Sequence, residues 1–199
     1  MMDLMPGRST GSHKGECRTL ISSDTLVEYM LICPYRKIAT GIGKDGDGVR
    51  FADINGDGRA EYLYVNEDGS VIAYLNLGSP IDDGPNAGKV NWLPQGVIAT
   101  GVGQKRENVV FADINGDRRA DYAAISRKDG SMKVWINGGG PDDGPNAAKV
   151  VWYPQGTVAT GVGSSGRGAQ LADLNGDGRA EYLNVNPETS AVKAWLNGC

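Results

Sequence analysis

The sequence predicts an all-β protein assembled from propeller-type blades, and three observations carry that prediction. The stretch ADINGDGRAEY at residues 52–62 returns as ADINGDRRADY at 112–122 and as ADLNGDGRAEY at 172–182, a period of sixty residues. Self-similarity at a fixed period marks repeat architecture. Each loop is flanked by short β-branched or aromatic segments, such as VRFADI before the first and EYLYVN after it; such residues suit a pleated, half-buried sheet. No segment sustains a 3.6-residue apolar period, so helices should be scarce.

Taken in order, residues 1–28 match nothing in the repeat and form a non-repeat N-terminal segment, and residues 29–199 form a three-repeat domain. YMLICPYRKIATGIG (29–43) aligns without gaps on VNWLPQGVIATGVG and its flank, with Pro34 falling on Pro94 and Pro154. The segments before and after each acidic loop are the first and second strands. SVIAYLN (70–76), SMKVWIN (131–137) and SAVKAWLN (190–197) read as third strands, and NWLPQGVIA (91–99) and its copy at 151–159 as fourth strands. Proline cannot donate to a ladder, so Pro94 and Pro154 place the fourth strand at a sheet edge. Four strands per unit, joined by Gly/Asp/Asn/Pro turns such as DDGPN at 82–86 and 142–146, is the arithmetic of a propeller blade. The chain opens with a fourth-type strand and stops after a third. The 29–41 strand should therefore complete the last blade by pairing with 190–197, in its own chain or a neighbour's. Three blades are fewer than the usual four to eight and leave exposed edges, which favours a six-bladed homodimer through blade completion.

Composition excludes several function classes. A net charge of −4 over 199 residues gives no electrostatic case for nucleic acid or an anionic membrane. No apolar run approaches the roughly 18–20 residues needed to span a bilayer. The opening MMDLMPGRSTGSHKGECRTL has no apolar core of a secretory signal. Cys17, Cys33 and Cys199 are odd in number and lack metal-binding spacing. His13 is the sole histidine and lies outside the repeats, so no Ser/His/Asp set can be placed within them. No G-x-S-x-G or G-D-S-L element occurs, and the chain is expected not to be an enzyme. GIGKDG (41–46) and GVGSSG (161–166) satisfy G-x-G-x-x-G, but no helix follows them as a dinucleotide site requires.

The acidic loop itself suits a hard cation. Oxygen side chains at loop positions 1, 3 and 5, a carbonyl at 7 and a carboxylate at 9 can wrap calcium, which accepts six to eight oxygens in irregular geometry. The candidate ligands are Asp53, Asn55, Asp57, the Arg59 carbonyl and Glu61; Asp113, Asn115, Asp117, the Arg119 carbonyl and Asp121; and Asp173, Asn175, Asp177, the Arg179 carbonyl and Glu181. The three loops offer sites for up to three Ca2+ ions. An EF-hand would need a glutamate at position 12, where this chain has Tyr64, Ala124 and Asn184. Gly56 and Gly58 supply backbone conformations that side chains resist. Position 6 holds Arg118 in the middle copy in place of Gly58 or Gly178. With the shorter Asp121 at position 9, this makes the middle site the expected weakest.

These loops, their place between two strands and the blade length resemble FG-GAP/VCBS repeats, the propeller repeats also seen in integrin α-subunit heads. The repeated W-L-P-Q-G…A-T-G-V-G is similar to C-terminal repeat regions of secreted fungal proteins, some attached to SGNH-type esterase domains. The resemblance implies structural calcium, an extracellular setting and a binding role toward a protein or glycan. Two narrower alternatives follow from it: a fungal-type lectin holding N-acetylglucosamine-like sugars between blades, and an accessory fragment of a secreted SGNH-type hydrolase. Tyr74, Trp135 and Trp195 match on the third strand and Trp92 and Trp152 on the fourth. They suit either sugar-stacking platforms or blade-to-blade core, and the core role is favoured.

Overall fold

The computed structural model describes residues 37–78, 90–140, 149–161 and 165–198. The expected 29–41 strand up to residue 36, both DDGPN turns, His13 and the three cysteines lie outside the described residues; residues 37–41 form no strand. The chain divides into two compact units, and the described residues from Ala39 onward belong to the second.

The fold is all-β: three antiparallel sheets, with no α-helix among the described residues. The first holds β1 (Val49–Ala52), β2 (Glu61–Val65), β3 (Val71–Asn76) and β4 (Trp92–Ala99) in that order. The second holds β5 (Val109–Ala112), β6 (Asp121–Ile125), β7 (Met132–Asn137) and β8 (Trp152–Ala159). The third holds β9 (Ala169–Ala172), β10 (Glu181–Val185) and β11 (Val192–Trp195). These are propeller-type blades in the order the repeats require. Pro94 and Pro154 sit on the edge strands β4 and β8, opposite Tyr74 and Trp135, beside register shifts that bulge the edge. An edge is where a missing N–H does no damage.

Register gives every blade two unlike faces, since alternate residues point to opposite sides of a strand. The front of the first blade carries the row Phe51–Tyr62–Tyr74–Pro94, and the second blade repeats it as Phe111–Tyr122–Trp135–Pro154. The third keeps Leu171–Tyr182–Trp195. The backs are aliphatic: Leu63, Val65, Val71, Ala73 and Leu75 in the first blade. They pack on Tyr122, Ala124, Phe111 and Trp135 of the next blade's front. Ala123, Ile125, Met132 and Val134 on the second back meet Tyr182 and Leu171 of the third front. The core is therefore not inside a blade but between successive blades, where area removed from water is worth about 25 cal/mol per Å².

Polar bonds fix the spacing of these layers. Ala120 N–H donates to the Asp53 carbonyl and Ala180 N–H to the Asp113 carbonyl, both at 2.7 Å. The Asn137 amide spans both blades, donating to Ile54 O at 2.8 Å and Ala120 O at 3.1 Å. Asn197 does the same with Ile114 O and Ala180 O. Every one of these acceptors lies at or beside an acidic loop.

Candidate metal loops and aromatic pockets

Each acidic loop is a closed hydrogen-bonded turn. Asp53 at position 1 accepts the N–H groups of Gly56 (2.7 Å) and Gly58 (2.7 Å). Asn55 Oδ1 accepts Asp57 N–H, and its amide donates to Asp57 Oδ2 at 3.1 Å. Asp57 Oδ1 accepts Arg59 N–H at 2.8 Å, and its Oδ2 pairs with the Arg59 guanidinium at 2.6 Å. Asp113, Asn115 and Asp117, and Asp173, Asn175 and Asp177, repeat the backbone and amide bonds with Gly116, Arg118 and Arg119, and with Gly176, Gly178 and Arg179, while the guanidinium of Arg119 stands 4.0 Å from Asp117. Such local bonds are why Asp and Asn favour turns. The turn needs left-handed backbone at positions 4 and 6: φ is +80° at Gly56 and +83° at Gly58. Arg118 is held there too, at +72°.

The carboxylate at position 9 lies apart from the others, at the start of the second strand and fully buried. Glu61 Oε2 accepts Ile54 N–H at 2.6 Å, and Glu181 Oε2 accepts Leu174 N–H at 2.6 Å. Burial pushes the Glu61 carboxyl up to about 7; the Ile54 N–H opposes this, and repulsion from Asp53 and Asp57 adds to it. Asp121 is pushed up to about 6, again mainly by burial, although the N–H groups of Asn137 and Ile114 both hold its charged form.

Whether these residues fit a cation can be judged from the oxygens left over. Glu61 Oε1 and Glu181 Oε1 are buried without a hydrogen bond; the Asn76 N–H approaches the Glu61 carboxylate without closing one to Oε1. A buried anionic oxygen lacking a donor calls for a proton or a cation, so the first and third loops fit one. The middle loop offers less, because Asp121 Oδ1 already takes Asn137 N–H and Oδ2 takes Ile114 N–H, both at 2.8 Å. In the first loop both Asp53 oxygens, Asn55 Oδ1 and Asp57 Oδ1 accept backbone N–H groups of their own turn, and Asp57 Oδ2 takes the Asn55 amide and the Arg59 guanidinium. Among the described residues no three acidic, histidine or cysteine side chains are grouped so as to hold a metal ion.

A second feature recurs with the same period. A cavity of about 280 Å³ is lined by Ala99, Thr100, Gly101 and Val102 on one side and Tyr122, Trp135, Trp152 and Pro154 on the other. Its counterpart, of about 160 Å³, is lined by Ala39, Thr40, Gly41 and Ile42 with Tyr62, Tyr74, Trp92 and Pro94. In each, the tyrosine stands edge-on to both partners: Tyr122 to Trp135 and Trp152 at 5.3 and 6.1 Å, Tyr62 to Tyr74 and Trp92 at 5.8 and 5.9 Å. T-shaped packing is a favourable aromatic geometry. Trp152 is further fixed by its Nε1–H to Ile98 O bond at 2.8 Å. Tyr182 and Trp195 form the third copy of the pair at 5.7 Å. The aromatic positions thus serve as junction packing and as pocket wall together. The A-T-G-V/I segments opposite them recur in the sequence, yet nothing local assigns them to the pocket.

The FG-GAP-like repeat pattern matches this chain twice, over residues 53–124 and 113–183. The chain is an FG-GAP-like repeat protein. Each match opens on the first aspartate of an acidic loop, Asp53 or Asp113, and runs through one blade into the next. No curated protein matches the chain. Among solved structures, the FG-GAP-like repeats are similar to part of a chain in a TcdB2–TccC3–Cdc42 crystal structure, at 22% identity and a TM-score of 0.45. That match covers 71% of this chain and 6% of the other. A Photorhabdus luminescens Tc holotoxin pore gives 21% identity and 0.45, covering 72% and 6%. This FG-GAP-like chain spans only that small fraction of either matched chain.

Proposed function

We propose that this FG-GAP-like repeat chain is a non-catalytic binding module, with calcium in its acidic loops and a sugar ring as the ligand of its aromatic pockets. The carrying observation is the recurrence of one pocket, sixty residues on, with the same wall of tyrosine, third-strand aromatic, tryptophan and proline opposite A-T-G. Ligand pockets combine apolar walls with a few polar groups. Here those are the Thr40 and Thr100 hydroxyls and the neighbouring backbone. A volume of about 280 Å³ falls just under the roughly 300–1,000 Å³ of drug-sized sites, which suits one ring rather than a chain of them. An aromatic wall offers a flat apolar surface to the C–H side of a pyranose. Neither pocket lining contains a carboxylate, histidine or lysine, so neither offers a general acid–base pair.

Asp53, Asn55, Asp57, the Arg59 carbonyl and Glu61 would hold calcium in the first loop, and the equivalent residues would do so in the others. When bound, the ion supplies charge neutralisation and cross-linking of the turn. An extracellular setting belongs to the same proposal. The test is a glycan array probed with and without calcium, followed by titration of N-acetylglucosamine against tryptophan emission. Saturable binding lost in Trp152→Ala is expected. Retention of no glycan, with or without calcium, would overturn the sugar assignment.

A further inference from the structure

The two blade junctions repeat one set of contacts, and each end of the array carries half of that set. At a junction the following blade donates and the preceding blade accepts. Ala120 and Ala180 N–H reach Asp53 and Asp113 O. Asn137 and Asn197 amides reach Ile54 and Ile114 O. Tyr122 and Tyr182 hydroxyls reach Gly69 and Gly130 O at 3.0 and 2.8 Å. By register, the first blade's front presents the same donors in Ala60, Asn76 and Tyr62. The third blade's back presents the matching carbonyls of Asp173, Leu174 and Ser190.

Burial follows the same division on the third-blade back and at Ala60 on the first-blade front, whereas Tyr62, at 8% exposure, is nearly as buried as Tyr122 and Tyr182 at 2% and 6%. Ala120 and Ala180 are each 7% exposed, whereas Ala60 is exposed. Ile54 is 0% exposed but its third-blade counterpart Leu174 is 56%. Val71 and Leu75 are 0% and 2%, against 57% and 70% for Val192 and Leu196. Leu183, behind them on β10, stays buried, so the open surface is β11 with the Leu174 loop. Close approach leaves its own trace. A Cβ on Gly101 would stand 2.6 Å from Asp68 O, and one on Gly161 would strike Asp129 O, both in the preceding blade. Gly41 keeps the same left-handed backbone with nothing within 4 Å.

We propose that a second copy of this chain docks head to tail on these faces, first-blade front against third-blade back. Two such contacts close a ring of six blades. The occupant is a second copy because this chain's own front carries the donors in the spacing that the back accepts, continuing an interface already made twice. Head-to-tail contacts either close or run on into filaments, and six blades lie within the usual four to eight. One residue makes the new junction looser than the internal ones. Ser190, at φ +58°, stands where the earlier turns have glycine. A Cβ at Gly69 would meet Gln104 O at 2.7 Å and Tyr122 Oη at 2.9 Å. The dimer is therefore concentration-dependent.

Sedimentation equilibrium of the whole chain over a wide concentration range tests this. The expected result is a shift from the 21.0 kDa monomer to twice that mass. Leu196→Lys and Leu174→Lys, both at exposed positions, should stay monomeric with unchanged circular dichroism. Ser190→Gly should tighten association several-fold. A monomer at every concentration, a trimer or open-ended series, or a dimer indifferent to both lysine variants would overturn the proposal.

Discussion

Replacing Arg118 by glycine should stabilise the protein, although the change deletes an entire side chain. Arg118 sits at φ +72°, beside +83° and +86° for Gly58 and Gly178 in the outer loops. The left-handed backbone aims its N–H at Asp113 Oδ2, 2.7 Å away, as Gly58 N–H is aimed at Asp53 Oδ2. A Cβ at Gly58 or Gly178 would meet nothing within 4 Å, so the penalty comes from φ alone. That penalty is roughly 1–2 kcal/mol for a residue with a side chain. The freer unfolded chain of a glycine variant returns about 0.4–1 kcal/mol of it. The net gain is about 0.5–1 kcal/mol, or a rise in Tm of roughly 1–4 °C at this chain length.

Arg118→Ala supplies the sign test. On ordinary backbone alanine is the more stable of the pair; on left-handed backbone glycine is. Urea melts of the two variants with equal m-values decide it, and an alanine variant as stable as the glycine one refutes the strain argument. Because bonds within the turn hold this backbone, the cost falls on folding. It does not by itself weaken a cation at the middle loop, which is a change from the sequence-based expectation. What distinguishes that loop for binding is Asp121, shorter and with both oxygens already engaged.

Three other outcomes are expected. Asn137→Ala should cost about 2–6 kcal/mol in urea melts, since Ile54 O and Ala120 O lose a buried donor at roughly 1–3 kcal/mol each; Asn76→Ala, whose amide donates to Ala60 O with no described blade before it to bridge, should cost about 1 kcal/mol, and equal costs would undo the bridging role. Calcium at a hundredfold excess over Kd should add about 2.7 kcal/mol per occupied loop, so identical melts in calcium and in excess chelator would remove the metal from this account. Burial, with the Asp68 carboxylate adding to it, pushes the Tyr122 phenol up to about 12, above its unfolded value of roughly 10; stability is therefore intact below pH 10 and falls as pH rises toward 12, and Tyr122→Phe should flatten that limb in melts between pH 9 and 12.

Much of the fold could be read from sequence because its signals are local. The third strand expected at 70–76 is Val71–Asn76, and the fourth expected at 91–99 is Trp92–Ala99. Pro94 marks an edge by what it lacks, and Gly58 marks a left-handed turn. The loop's shape was legible for the same reason, but the partners of its oxygens were not. Spacing places Asp53 and Asp57 near one another without saying whether they face an ion or the N–H groups beside them, and the turn turns them inward. The bridging asparagines were invisible in another way. Asn137 and Ile54 are 83 positions apart, and an Asn ending a strand carries no mark of the blade it will reach. The aromatics fell between two expectations because one residue can pack with its edge and line a pocket with its face.

The position-9 carboxylate shows how the loops and the blade junctions depend on each other. Glu61 is buried at a cost large enough to push its carboxyl up to about 7, and its one firm bond is to Ile54 N–H. That same Ile54 offers its carbonyl to Asn137 of the next blade, and Asp53, whose carboxylate organises the turn, offers its carbonyl to Ala120. Arg119 of the second loop lies over Gly56 of the first, where a Cβ would come within 3.2 Å of its Cγ. The turn is therefore a seam: whatever orders its side chains also orders the carbonyls that the following blade binds. Neutralising Glu61, Asp53 and Asp57 with a cation would stiffen the first junction, and occupation of the second loop would stiffen the second. The third loop has the same turn but no described blade beyond it, so an ion there would steady only its own strands unless Ala60 and Asn76 of a second copy docked on it. Cation binding at Asp173 and Glu181 and the docking of a second copy should then be linked, each strengthening the other by the same factor. Sedimentation repeated with calcium and with chelator measures that factor, and an unchanged dimer constant would separate the two.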